Sequence, residues 1–294
     1  MAFFSGFMGI VGPPNAGKST LMNRIIGSKL SIVSPKPQTT RNRIIGIWNG
    51  SDFQIVFFDT PGIHKTKTYL HNSMVSSATA IFNEVDIILV VLDVNKVSKE
   101  ETQFVLNQLK GIPKPIVAVL NKIDKINYKD LLPIISGLRS EADFKSIIPI
   151  SARNGDGVDI LTSELKTMLS PGEAFFPSDM KSDYSEDFFV AEIIREKLFY
   201  NLRGEIPYSS AVTVESMEEN EAGSLLNINA KIHVETESQK IIVVGRGGRV
   251  ISKIGTEARQ ELERYFGIKI YLSLFVRVEK NWTKDPQAMR RLGY

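Results

Sequence analysis

Between residue 6 and about residue 169, short apolar runs rich in β-branched side chains recur along the chain: GFMGIV, RIIGIW, FQIVFFD, DIILVVLD, KPIVAVLN and SIIPIS. Their apolar character is continuous, not alternating, which suits strands buried on both faces. Helix-like stretches lie between the later runs, at 99–109 and 128–140. Strands alternating with helices predict an α/β domain over residues 1–169, built on a mostly parallel sheet with helices on both sides. That rhythm breaks at SPGEAFFPSDMKSDYS, residues 170–185, where prolines, a glycine and small polar residues predict a linker. Beyond it the pattern predicts a helix over 186–202, strands over 210–216 and 225–234, a helix ending near Phe266 and a last strand over 269–278. This is a second, smaller α+β domain, residues 186–294 with a C-terminal tail. On propensity alone the run KIIVVG before its Gly-rich turn reads as a strand.

A hydrophobic content of 43% and a charged content of 23% are those of a globular chain, so disorder and fibrous repeats are excluded as readings. The 294 residues contain no cysteine, which removes disulfides, zinc–thiolate sites and thiol nucleophiles together and fits a reducing compartment. The apolar start MAFFSGFMGIVG lacks a basic leader and is expected to be a buried strand instead of a signal peptide. Charge is uneven: residues 171–238 carry 5 Lys/Arg against 14 Asp/Glu, and residues 239–294 carry 12 against 5. A basic surface, and with it a polyanionic partner, belongs to the C-terminal end.

Chemistry enters with GPPNAGKS, Gly12 to Ser19, which fits G-x-x-x-x-G-K-[ST] between a predicted strand and a predicted helix. Its alternative, a plain glycine turn, is disfavoured by that context. Backbone N–H groups of a loop comprising Gly12, Asn15, Ala16, Gly17 and Thr20, with the helix N-terminus behind it, favour phosphate. Lys18 is expected to reach the terminal phosphates and the Ser19 hydroxyl to bind Mg²⁺. NKID, Asn121 to Asp124, follows an apolar strand. A carboxylate accepts two adjacent N–H donors at once, and guanine has such a pair where adenine has none, so Asp124 is the expected selector. Asn121 is expected to face the other edge of the base, and the stem of Lys122 to lie along its plane. In FFDTPG, Asp59 is placed to hold Mg²⁺ through water and the Gly62 N–H to meet the γ-phosphate. Ser151-Ala152 would offer the Ala152 N–H to guanine O6. The polar segment 34–43, SPKPQTTRNR, suits a switch whose Thr40, or failing that Thr39, closes on Mg²⁺.

These five elements in order resemble a GTPase of the translation-factor-related class. The extended forms KPQTTRNRIIG and DTPGIHK, with the second domain, are similar to the Era family of bacterial GTPases over essentially the whole chain. The resemblance implies Mg²⁺-dependent hydrolysis of GTP to GDP, with Lys18, Thr40 and Gly62 as catalytic residues. Ile63 occupies the place where signalling GTPases keep the glutamine that orients water. Intrinsic hydrolysis is therefore expected to be slow, with water placed by backbone, a monovalent cation or a partner. Asn15 resembles the asparagine that binds K⁺ in related GTPases.

VVGRGGRVISKIG carries G-x-x-G as Gly245-Arg246-Gly247-Gly248, flanked by Lys240, Arg249 and Lys253. Such a turn lets a nucleic-acid backbone approach closely. The element order resembles a type II KH domain, which implies a short helix at KIIVVG against its propensity. Ile241, Val244, Ile251 and Ile254 are candidates for an apolar groove floor, with plain core packing as the competing reading. His64, His71 and His233 show no metal-like spacing. Resemblance further implies a cytoplasmic, monomeric protein that binds the 3′ end of 16S rRNA and the small ribosomal subunit, with peripheral association at the inner face of the cell membrane as a side expectation. A metabolic P-loop kinase is disfavoured by NKID. A membrane-bound regulator is disfavoured because the tail TKDPQAMRRLGY has too few apolar residues to insert alone.

Overall fold

A computed structural model describes residues 2–37, 39–63 and 78–294. The chain divides into two compact units, Met1–Asp183 and Tyr184–Tyr294. In the first, strands β1 (Phe4–Val11), β2 (Ile44–Asn49), β3 (Phe53–Asp59), β4 (Ile87–Asp93), β5 (Ile116–Asn121) and β6 (Ser146–Ile150) form a sheet in the order β2-β3-β1-β4-β5-β6. All neighbours are parallel except β2, which runs antiparallel to β3. Every residue of β3, β4 and β5 is buried. Each large aliphatic side chain buried there contributes about 1.5–3 kcal/mol, which is why continuous apolar runs settle in the middle of the sheet. Helices α1 (Lys18–Ile26), α2 (Glu100–Leu109), α3 (Tyr128–Glu141) and α4 (Val158–Thr167) supply the crossovers, and residues 78–84 are also helical. The α/β class with a mostly parallel sheet is the one the pattern predicts. Because the strands run parallel, the loops after β1, β3, β5 and β6 emerge at one edge of the sheet, where α/β folds bind ligands.

The stretch 170–183 lies on this first unit. The short strand β7 (Ser170–Pro171) pairs antiparallel with β1. Further on, the Ile47 N–H of edge strand β2 donates to Lys181 O at 2.8 Å, and the Asn49 amide donates to Met180 O at 2.9 Å. Gln54 is fully buried on β3. Its Oε1 accepts from the N–H groups of Phe175 and Phe176, and its Nε2 donates to Asn49 Oδ1 and Phe176 O. The expected linker is therefore hydrogen-bonded along a sheet edge for most of its length.

In the second unit, α5 (Glu186–Asn201) precedes β8 (Ala211–Glu219), β9 (Leu225–Val234), α6 (Glu237–Val244), α7 (Arg249–Phe266), β10 (Lys269–Val278) and α8 (Pro286–Arg291). The sheet order is β10-β9-β8, with β10 parallel and β8 antiparallel to β9. KIIVV, residues 240–244, is helical within α6, and Gly245 ends it. Thr236 caps it by accepting from the Gln239 N–H, and Gln239 and Val243, one turn apart, are the residues it buries. That cap and the i, i+4 burial override the strand propensity of Ile and Val. β8 runs three residues beyond the predicted end because an irregularity at Glu215 shifts its alternation. The tail folds back as a cap: Trp282, Met289 and Leu292 are buried, and Trp282 Nε1 donates to Ser209 O at 2.9 Å. Among the described residues no helix is long and apolar enough to cross a membrane.

Candidate functional site

Four loops at the C-terminal ends of the parallel strands meet around the start of α1. Gly17 caps that helix with left-handed backbone (φ 100°) and no side-chain capping bond, and no acidic residue sits in the first turn. A Cβ at Gly17 would collide with the Asn121 amide nitrogen, so glycine is required both for the turn and for this close approach. The N–H groups of the helix start thus remain aimed at the loop's concavity, which also takes in Ala16 and the half-buried Thr20. Lys18 lies inside it, donating to Gly12 O at 3.2 Å and Pro13 O at 3.0 Å. Burial lowers its ammonium to a pKa of about 8, against the opposing pull of Asp59.

Ser19, Thr40 and Asp59 converge from three segments. Ser19 Oγ donates to Asp59 Oδ2 at 2.6 Å and lies 2.9 Å from Thr40 Oγ1. Thr39 is turned away: its hydroxyl bonds Lys36 O and Ser34 Oγ. Burial pushes the Asp59 carboxyl above its ordinary range, although Lys18 and Ser19 pull it down. Its Oδ1 is buried with no hydrogen-bond partner among the described residues. An orphaned carboxylate oxygen beside two hydroxyls is a hard-oxygen donor set, which fits Mg²⁺. Gly62 stands against Pro14 of the phosphate loop, and the Ile63 N–H donates to Gly12 O at 3.1 Å. The Ile63 side chain is buried in the core and presents nothing to water.

Asn121 serves the scaffold of the site. It is buried: its Nδ2 donates to Ala16 O at 2.8 Å, and its Oδ1 accepts from the Lys122 and Ala152 N–H groups. It therefore ties the phosphate loop to the 151–152 loop. The Ala152 N–H, expected to face guanine O6, is held 2.9 Å from that Asn121 oxygen. Lys122 has left-handed backbone, and its ammonium bridges Asn15 O at 2.6 Å and Asp93 Oδ2 at 2.7 Å. Burial alone would raise Asp93, but the bonds from Lys122 and Asn95 hold it below its ordinary range. Asp124 is exposed, and its Oδ1 accepts from the buried Ser151 hydroxyl at 2.7 Å, which fixes the carboxylate's orientation. Asn15 Nδ2 donates to Pro35 O of the 34–43 segment at 3.0 Å.

Three supports escaped the sequence reading. Asp93 anchors Lys122. Arg24 Nε donates to Ala152 O at 3.2 Å. The Asn23 amide accepts from the Leu30 and Ser31 N–H groups, shaping the entry to the switch segment. An acid at the end of β4 was visible in the sequence; the other two have no local signature.

In the second unit, Gly245, Gly247 and Gly248 all have positive φ, and Arg246–Gly248 form a tight turn between α6 and α7. Arg246, Gly247 and Arg249 are exposed, with Lys240 half-buried beside them. A Cβ at Gly247 would point into open space, so only the turn's backbone demands glycine there. Lys253 lies one helical turn beyond Arg249 on α7. It lies on the α5 side of α7, 3.7 Å from Glu257, in a shallow depression shared with Lys197 and Tyr200. Of the candidate groove residues, Ile241 is 71% exposed, Val244 and Ile251 are half-buried, and Ile254 belongs to the core. His233 is buried and its Nε2 meets Thr213 Oγ1 at 2.8 Å; His64 and His71 lie outside the described residues.

Residues 7–122 match the family described as 50S ribosome-binding GTPase, and residues 205–283 match the KH domain family. The chain is 48% identical to the GTPase Era of Syntrophus aciditrophicus and 46% identical to that of Geobacter metallireducens, over 99% of its own length and 95% and 98% of theirs. It is also similar to two solved structures at 39% identity, covering 99% of both chains in each case. One is an Aquifex aeolicus Era variant bound to GDP and aluminium fluoride, with a TM-score of 0.95. The other, with a TM-score of 0.96, is Era in complex with MgGDPNP and nucleotides 1506–1542 of 16S ribosomal RNA.

Proposed function

The chain belongs to the Era family of GTPases, and from that membership we propose a GTP-driven switch that binds 16S rRNA near its 3′ end and assists assembly of the small ribosomal subunit. The observation that carries the switch is the meeting of Ser19, Thr40 and Asp59. Thr40 comes from a polar loop, and its hydroxyl meets that of Ser19, which in turn donates to Asp59. Mg²⁺, when bound with GTP, supplies positive charge against the phosphates and a reason for that loop to stay closed. Lys18 adds a buried ammonium, and the Gly62 backbone lies at the loop edge where a γ-phosphate would be read. Asp124, oriented by Ser151, selects guanine. Asn121, Lys122 and Ala152 hold the base loop and the phosphate loop in one frame.

With Ile63 buried, water must be oriented by backbone, by a monovalent cation or by a partner. The Asn15 amide next to Pro35 O offers oxygens for K⁺; equal hydrolysis rates in NaCl and KCl would remove that role. In the second unit, RNA is held at the Gly245–Gly248 turn with Lys240, Arg246 and Arg249, and Lys253, one helical turn beyond Arg249, adds charge. The protein acts as a monomer in the cytoplasm. With Trp282, Met289 and Leu292 buried, peripheral contact with the inner membrane face falls to exposed tail cations such as Lys284 and Arg290.

The test compares the wild-type protein with the double variant Arg246→Asp/Gly247→Asp in titrations with 16S 3′-end RNA and with an unrelated RNA. Two carboxylates placed where phosphates must lie are expected to abolish RNA binding, most sharply at low salt, while GTP hydrolysis without RNA survives. Undiminished RNA binding by the variant overturns the assignment.

A further inference from the structure

The helices of the second unit pack on one face of its sheet; on the opposite face Ala211 and His233 are buried at one end, while the β10 side is exposed. Along β10, Ile270, Leu272, Leu274, Val276 and Val278 alternate toward the helices, and Gly255 of α7 packs against Leu274. The opposite parity is Lys269, Tyr271, Ser273, Phe275 and Arg277. Tyr271 is 62% exposed and Phe275 is 58% exposed. Four residues apart on one strand, the two rings stand roughly 13 Å from each other on the same face. Isolated exposed aromatics need no explanation, but two aligned on an edge strand are a feature soluble sheets ordinarily suppress.

The neighbours of these rings identify the occupant. Across the register, Asn227 lies opposite Tyr271, Asn229 opposite Ser273 and Lys231 opposite Phe275. On the far strand, Ser216 holds Asn229, and Glu215 is paired with Lys231. Lys269 and Arg277 end the row at either side, both exposed; Arg277 lies 3.7 Å from Glu279, which Arg291 also pairs, and Glu218, an acid of this face with no ion pair among the described residues, sits on the distant strand β8. Amides, hydroxyls and cations surround the two rings, and no leucine, isoleucine or methionine joins them in mid-face. A protein-binding core would need such aliphatic anchors. Stacking rings with a cationic fringe and polar amide and hydroxyl neighbours are the chemistry of a platform for unpaired bases. The other face of β10 packs against α6 and α7, the helices that flank the Gly245–Gly248 turn. β10 is also the sheet edge, so an RNA strand leaving that turn reaches the outer face by rounding one strand.

We propose that the outer face of β10, with Tyr271 and Phe275 as stacking rings between Lys269 and Arg277, is a second contact for single-stranded RNA. It rests on the RNA-binding reading given above and adds a site that the glycine turn does not include.

The test uses the full chain and two RNAs, a long 16S fragment covering nucleotides 1506–1542 and a short one ending at the segment bound by the glycine turn. Loss of a base–aromatic stack weakens binding roughly 5- to 100-fold. Tyr271→Ala/Phe275→Ala is expected to lose about that factor on the long RNA and little on the short one, with melting temperature and RNA-free GTP hydrolysis unchanged. Tyr271→Trp/Phe275→Trp is expected to bind the long RNA as wild type does, while Tyr271→Leu/Phe275→Leu, which keeps area and loses stacking, is not. Wild-type affinity of the alanine variant for the long RNA overturns the proposal. So does a shift of that variant from dimer to monomer in sedimentation without change in RNA affinity, which would make the face a self-association surface. If wild type binds neither RNA, the RNA-binding reading itself falls and takes this site with it; binding lost by Arg246→Asp/Gly247→Asp but kept by the alanine variant removes the platform alone.

Discussion

Asp124 offers one carboxylate oxygen to Ser151 and keeps the other toward solvent at the mouth of the nucleotide site. Leaving guanine's two N–H donors opposite an amide N–H costs the pairing and adds a donor–donor clash. Asp124→Asn is expected to lose GTP affinity by two orders of magnitude or more, about 3 kcal/mol, and to gain affinity for xanthosine triphosphate, whose edge presents an acceptor; nucleotide titrations read both. Thr40 is the second decisive residue. Thr40→Ala removes a contact made only with the switch segment folded in, so GDP affinity is expected to stay near wild type while single-turnover hydrolysis falls at least tenfold. Unchanged turnover would return the role to Thr39, whose hydroxyl is occupied by Lys36 and Ser34. The residue types at the site were readable because phosphate, Mg²⁺ and guanine each demand particular groups. Their bonds to one another were not, and Asn121 shows why. An amide in NKID has two N–H donors and an acceptor oxygen, and only the fold decides that one donor serves Ala16 O while the oxygen serves the Lys122 and Ala152 N–H groups.

At the scale of elements, the strands of the parallel sheet were legible because burial on both faces leaves a continuous apolar run. α6 was not, since Ile and Val favour strands when nothing else intervenes; a threonine cap and two buried positions one turn apart reverse the choice. β8 runs past its predicted end because alternation fails at the irregularity near Glu215. The stretch 170–183 shows how composition misleads: its Pro, Gly and Ser content signals a free connection, yet Gln54 and β2 hold it by backbone bonds that composition does not encode. Gln54→Leu is expected to orphan several of these groups in a buried place, each worth about 1–3 kcal/mol, and to destabilise the first unit by at least 2 kcal/mol overall. Urea denaturation measures that loss, and limited proteolysis should cut within residues 172–182 sooner than in wild type. Equal stability and equal cleavage would show the segment to be held by its aromatic contacts alone, Phe175 against Phe7 at 4.3 Å among them.

For the whole molecule, the segment leading to the second unit is bonded to β2, and β2 begins at Ile44, four residues after Thr40. Closure of Thr40 on Ser19 sets the position of the chain entering β2, and through Ile47 and Ser182 that of the outgoing segment. GTP is therefore expected to change RNA affinity, and linkage requires RNA to change GTP affinity by the same factor, with a typical coupling of about 1–3 kcal/mol. Parallel titrations of 16S 3′-end RNA into the protein with GDP and with a non-hydrolysable GTP analogue measure it. Equal affinities would leave two independent modules on a tether.

The sequence alone determined the kind of chemistry: a phosphate loop, a guanine selector, a switch threonine, a glycine turn flanked by cations, and a sheet buried on both faces. Each follows from local demands, namely residue type at fixed spacing or a run of apolar side chains, and such demands leave a mark in a window of ten or twenty residues. Tertiary structure decided what depends on residues distant in the chain. It placed Thr40 and not Thr39 on Ser19, tied Asn121 to the phosphate loop and the 151–152 loop, brought Lys253 near Lys197 of α5, buried Ile63, bonded residues 170–182 to β1, β2 and Gln54 of β3, and left Tyr271 and Phe275 exposed. Hydrogen bonds and burial across a hundred residues are properties of the packed chain, because each is settled by competition among all partners that the fold brings within reach.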